Sequence, residues 1–233
     1  MNAAPRSEVV SHAAWGARRG AARATTWWGK AWVRAVEEAA YDDGDLRAGR
    51  RLSRQAAVGG ISVGRGRLVA AVADAQGLWS VEVALACFDA AAVAAFVEVV
   101  AAEAGRIGAL LARDLPHALV EHADEAGVEL LPFGGELGCS CTCRAWVDPC
   151  PHALAVLYQA AWLLDAEPLL LLHLRGLARE ELLARLHARA PRQEVSTTRD
   201  PEEASMDLAL SAADRAARIL DQLEREASFE HLL

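Results

Sequence analysis

No stretch of this 233-residue chain is apolar enough to cross a membrane. Its most hydrophobic segment, residues 153–174, is interrupted by Gln159, Asp165, Glu167 and Pro168, whereas a spanning helix needs about 20 mostly apolar residues. An apolar export segment is missing at the N-terminus, where Arg18, Arg19 and Arg23 sit in a polar, alanine-rich stretch. Together these absences place the chain, as an expectation, in the cytoplasm and away from membranes. The common enzyme signatures are missing as well. Gly59-Gly60 and Gly64-x-Gly66 are turn glycines, and neither precedes a helix with a phosphate-loop lysine. There is no nucleophile elbow, no zinc-protease histidine pair and no carboxylate dyad. His117 and His122 stand five apart, which puts them on different sides of a helix. The chain is therefore read as a non-enzyme with no small-molecule substrate. It has no internal repeat.

Cysteine is scarce: five residues, of which four fall between 139 and 150. In a reducing compartment such clustering favours a metal over disulfides. The fifth, Cys87, stands alone in apolar surroundings and reads as a small core residue.

What is abundant is hydrophobic material, 53% of the chain, much of it alanine, which favours helices. Charge is unevenly spread. Residues 1–67 carry a local +6 and residues 68–233 a local −14, giving −8 overall. A basic front on an acidic body suits either a nucleic acid or an acidic partner, or else pairs with itself.

The pattern predicts an α+β fold. Residues 1–24 read as a disordered basic arm. Thr26 caps a helix through about Ala40 with Trp28, Trp32, Val33 and Val36 at helical spacing, and Asp42 to Asp45 end it. Val58 to Leu85 alternates across two turns, as a three-stranded antiparallel meander does. Asp89 caps a helix through about Ala104, and 110–126 is helical in two pieces split at Pro116. These make an N-terminal α+β domain over 26–133. A second region, 134–189, holds the cysteines and helical stretches at 150–164, 167–174 and 178–189. Residues 190–233 are a polar linker, 191–206, and an amphipathic tail helix, 207–229.

Cys141, Cys143, Cys150 and His152 fall within twelve residues as Cys-x-Cys, a six-residue gap and Cys-x-His. Three thiolates and an imidazole are a donor set suited to structural zinc. Alternate strand residues share a face, so Cys141 and Cys143 can aim at one ion. Pro149 stiffens the approach, and Pro151 fits the first position of a helix. Cys150 then sits at the helix cap and His152 in the first turn, where the helix end favours a thiolate. Cys139 with Cys141 is an alternative first pair, though the following aromatic and the Pro-Cys step favour 141 with 143. An iron–sulfur site and a thiol redox sensor that uses the clustered cysteines are the competing readings; no Cys-x-x-Cys redox motif occurs.

The run Cys141-Thr142-Cys143-Arg144-Ala145-Trp146-Val147-Asp148-Pro149-Cys150-Pro151-His152, followed by Ala153 to Tyr158, resembles the SWIM zinc finger of bacterial proteins. The likeness reaches upstream to Thr26-Trp27-Trp28-Gly29-Lys30-Ala31-Trp32, the arginines at 50–54 and the meander. Downstream it takes in Glu167 to Leu171, Arg175-Gly176 and Glu181 to Leu183, so it covers about 26–189. The resemblance implies Zn2+ held by Cys141, Cys143, Cys150 and His152. It also implies binding of DNA or of proteins, with a helicase-type ATPase as a typical partner. The chain departs from the family pattern at Arg144-Ala145, where Pro-Asp is usual. Pro151 replaces a basic residue, and Asp74-Ala75-Gln76 replaces a basic stretch. These changes bear on phosphate contact rather than on the metal.

For nucleic acid, the candidate contacts are Arg47, Arg50, Arg51 and Arg54, which align if their segment is helical, with Lys30, Arg144 and Trp27. Pairing with Asp42, Asp43 and Asp45 is the competing use of the arginines. Trp28 and Trp32 share a helix face and read as core.

Overall fold

The computed structural model describes residues 9–18 and 24–189; the expected linker and tail helix lie outside the described residues. The fold is α+β. A five-stranded antiparallel sheet is formed by β1 (Val10–His12), β2 (Val58–Gly64), β3 (Arg67–Asp74), β4 (Gly77–Ala84) and β5 (Gly138–Cys141), in that spatial order. The helices are α1 (Trp27–Ala39), α2 (Asp43–Arg54), α3 (Ala90–Ala101), α4 (Ala104–Leu111), α5 (His117–Glu125), α6 (Pro151–Ala166), α7 (Leu169–Leu174) and α8 (Arg179–Arg189), with a short 3-10 turn at Gly134–Glu136. No helix among the described residues is long and apolar enough to cross a membrane.

One helix organises the rest. Residues 152–164 of α6 are buried on every side, as a helix without a polar face must be. The sheet packs on it through Val58, Ile61, Val63, Leu68, Val72, Val81 and Val83. From the other elements, α1 delivers Trp28 and Trp32, whose indole N–H groups donate to Leu164 O (2.8 Å) and Leu157 O (3.0 Å). Asp165, near the end of α6, accepts from the backbone N–H groups of Thr25 and Thr26 and from both hydroxyls. A carboxylate there also favours the positive N-terminus of α1. A side chain on Gly29 would run into that carboxylate.

Three expectations are corrected. Residues 9–18 are not a loose arm. Ser11 pairs with Ser62 in the sheet, Trp15 stacks edge-on against Trp162 at 5.9 Å, and the Arg18 guanidinium lies over both rings at 4.2 and 4.8 Å. A three-residue strand takes its register from its partner, so its own sequence carries little period. Asp42 does not merely end α1; its carboxylate accepts from Asp45 N (2.9 Å) and caps α2. Cys87 is exposed, because the chain has already left the sheet at Leu85.

Candidate metal centre

Two elements bring the donors together. β5 extends the sheet along β4, with Val83 opposite Cys139 and Val81 opposite Cys141. Opposed residues share a face, so both cysteines turn toward the side covered by α6. The strand ends at Cys141, and Cys143 lies in the bend beyond it rather than on the strand. That bend is still tied to β4: Thr142 N donates to Ser80 O (3.0 Å), and Ser80 N donates to Thr142 Oγ1 (2.9 Å). The gap then reverses the chain through a cis Asp148–Pro149 peptide. Cys150 is the N-cap of α6, Pro151 follows at the first turn, and His152 is the next residue.

The Sγ atoms of Cys141, Cys143 and Cys150 and a ring nitrogen of His152 all lie within 4.8 Å of one another. Cys143 Sγ is 3.6 Å from Cys150 Sγ, and His152 Nδ1 is 3.9 Å from Cys141 Sγ and 4.0 Å from Cys150 Sγ. A tetrahedral zinc ion, with bonds of about 2.0–2.3 Å, spaces its donors about 3.5–3.8 Å apart. These three edges are close to that, all six lie within 4.8 Å, and the Cys143–Cys150 separation is far beyond the roughly 2.05 Å of a disulfide. The four residues therefore fit a metal, and their chemistry fits zinc.

The three thiols of the cluster are shifted in different directions. Burial pushes the Cys141 thiol up to about 12; the Cys143 amide opposes this, and the Cys143 and Cys150 thiols add to it. Burial is also the largest effect on Cys150, which is raised. Cys143 goes the other way, to about 7: burial opposes ionisation, but the Ala145 amide and hydrogen bonds from His152 and the other two cysteines outweigh it. Cys139 stays outside the cluster. Its thiol is raised to about 12 by burial and then by nearby Asp148, and its sulfur donates to Leu137 O at 3.8 Å. The geometry thus selects the 141/143 pair over 139/141.

Two neighbours were not legible as site residues. The other imidazole nitrogen of His152, Nε2, lies 3.0 Å from Asp74 Oδ2, and the Trp79 ring sits 5.8 Å from the imidazole. Hydrogen bonds from His152 first, then from the Trp79 indole and the Gln76 amide, hold the Asp74 carboxyl down at about 2. On the outer side, Trp146 is 81% exposed and stacks edge-on with Tyr41 at 5.1 Å. An aromatic residue inside a polar gap between ligands was the only sequence signal for it.

A groove of about 990 Å³ runs beside the centre, with Cys143 and His152 in its wall and Arg51, Gln55, Asp74, Gln76, Trp79 and Arg144 lining it. The structure therefore joins Arg51 and Arg144, from opposite ends of the sequence pattern, at the metal site. Arg47 is exposed one helical turn before Arg51. Among the described residues no carboxylate forms an ion pair with any of these three arginines. The other candidates are placed differently. Arg50 pairs with Glu37 and lies over the Tyr158 ring. Arg54 is half-buried and spends its Nε on Arg50 O. Lys30 is exposed on α1 next to Gly29, which abuts Asp165. That is thirteen residues of α6 away from His152, roughly 20 Å. Trp27 is half-buried and donates its indole N–H to Leu115 O at 2.9 Å.

Residues 126–161 match the model of the SWIM zinc finger, a span that holds all four donors and most of α6. Among individual proteins, the chain is 28% identical over 202 residues to an uncharacterized protein of Mycobacterium tuberculosis, Rv2102. That alignment covers 86% of this chain and 67% of the mycobacterial one. No solved structure matches the chain.

Proposed function

We propose that the protein is a zinc-binding adapter that presents a basic groove to DNA and has no catalytic activity of its own. Cys141, Cys143, Cys150 and His152 would hold the ion. Bound zinc supplies a structural crosslink, because four protein donors leave no open coordination position for chemistry. The observation that carries the DNA reading is the pairing of Arg51 and Arg144 across one groove beside the metal, with Arg47 one turn away and all three without a carboxylate partner among the described residues. Such guanidinium groups bind phosphate and release counterions.

Fluorescence anisotropy with labelled duplex and single-stranded DNA tests this reading. Binding should weaken steeply as salt rises from about 50 to 200 mM. The double variant Arg51→Glu/Arg144→Glu should lose at least about tenfold in affinity and flatten the salt slope by about 2. Arg50→Glu should do less, since Glu37 already engages that side chain. No binding of either DNA at low salt would defeat the reading.

A protein-contact reading has its own support. Tyr41 and Trp146 form an exposed aromatic pair, the kind of anchor that dominates protein interfaces. Asp42, Asp43 and Asp45 lie directly after Tyr41 in the sequence, which disfavours phosphate there and suits a basic protein surface. A helicase-type ATPase is the partner this second reading proposes. The redox-sensor reading keeps Cys143, lowered to about 7 and 3.6 Å from Cys150 Sγ, but not Cys139, which lies outside the cluster and is raised to about 12.

A further inference from the structure

We propose that Asp74 is the outer carboxylate of the metal centre, a positioning residue that holds the His152 ring with Nδ1 facing the three sulfurs. This rests on the zinc reading above and adds a residue 78 positions upstream of the histidine, outside the segment 126–161 that matches the finger family.

The two ring nitrogens have different surroundings. Nδ1 lies 3.9 and 4.0 Å from the sulfurs of Cys141 and Cys150. Nε2 lies 3.0 Å from Asp74 Oδ2. An ionised carboxylate only accepts hydrogen bonds, so Nε2 is the nitrogen that carries the proton. A neutral imidazole has one N–H, which leaves the Nδ1 lone pair for a metal. Metal-bound histidines are commonly oriented in this way, and the carboxylate also raises the basicity of the ligand nitrogen.

Asp74 is itself fixed. It is the last residue of β3, and its Oδ1 accepts from Gln76 N (2.8 Å), Gly77 N (3.0 Å) and Trp79 Nε1 (3.1 Å). Three donors on one oxygen close the β3–β4 turn around the carboxylate and point Oδ2 at the histidine. The Trp79 ring then flanks the imidazole, tilted 33° from it. The coordinating atoms come from the finger, while their orientation comes from the tip of a strand pair in the N-terminal sheet. The finger segment by itself lacks this support.

The test is zinc affinity of the full-length protein, measured by competition with a chromophoric chelator for the wild type, Asp74→Asn and Asp74→Ala. Asparagine keeps an oxygen for the turn amides but turns an NH2 toward Nε2, so two donors face each other. Both variants should bind zinc about 10–100-fold more weakly. The melting temperature of metal-free Asp74→Asn should match that of the metal-free wild type, which separates this role from a purely structural one. Nitrogen chemical shifts of His152 in the zinc-loaded wild type should show a protonated Nε2 and a metal-bound Nδ1. An affinity of Asp74→Asn within about twofold of the wild type, or metal ligation through Nε2, overturns the proposal. A wild type that binds no zinc overturns the zinc reading itself, and this inference with it.

Discussion

Cys139 and Cys143 stand four residues apart and have opposite chemistry. Cys139 faces inward beside Val83, is half-buried, and has its thiol pushed up to about 12 by burial. Cys143, in the bend past the strand, has the most acidic thiol of the cluster and lies 3.6 Å from Cys150 Sγ. The two substitutions should therefore separate cleanly. By elemental analysis of purified protein, Cys139→Ser is expected to retain about one zinc per chain, and Cys143→Ser to retain almost none. Equal zinc content in the two variants would contradict the assignment. Arg175 shows the same dependence on surroundings. It is 3% exposed, makes a two-pronged contact with Glu136, and donates to Leu130 O and Ala86 O. The guanidinium thereby braces the 3-10 turn just before β5 against the end of β4. In the sequence Arg175 was one match in a family likeness, with no role attached, because all its partners come from other elements.

At the scale of elements, α6 carries two of the four candidate metal donors, Cys150 and His152, at its start and the α1 anchor Asp165 at its end. Its boundary was readable from Cys150 and Pro151, because caps and first-turn prolines are local signals. Its neighbours were not. α2 crosses α6 at Gly49, where a Cβ would come 2.6 Å from Leu154 Cβ and 3.3 Å from Pro151 O. Leu154 and Pro151 both belong to the first turn of the finger helix, so a larger residue would push α2 away from the metal site. Gly49→Val should cost about 1–3 kcal/mol and lower the melting temperature by about 5 °C. Gly108→Ala on α4 is the counterpart, with nothing within 4 Å of the added carbon. It should gain about 0.5–1 kcal/mol by removing a glycine from a helix interior. Thermal denaturation of both variants checks this, and a Gly49→Val protein as stable as wild type would contradict the close approach.

At the scale of the molecule, the metal centre joins distant parts of the chain. β5 adds the finger to the meander as a fifth strand, and Asp74 reaches it from the β3–β4 turn. Zinc binding should then be folding energy for this junction. Removing zinc with a chelator should speed amide hydrogen exchange over residues 137–165 and over 74–79, and leave α3 nearly unaffected. Unchanged exchange in the junction would show that the fold holds it without the ion. The charge division takes on meaning at this scale too. Arg51 belongs to the basic front and Arg144 to the acidic body, and the fold sets them on one groove.

Several features were written locally. The α+β class, the meander, the tryptophan face of α1 and the Cys-x-Cys, Cys-x-His set all rest on period, caps or short spacing, which neighbouring residues impose on one another. The tertiary structure decided the rest: the β4–β5 register that turns Cys139 and Cys141 inward, the approach of Asp74 to His152, and the shared groove of Arg51 and Arg144. Those depend on contacts across 50 or more residues of chain, where no side chain's preference is felt until α6 and the sheet have packed and the distance has closed.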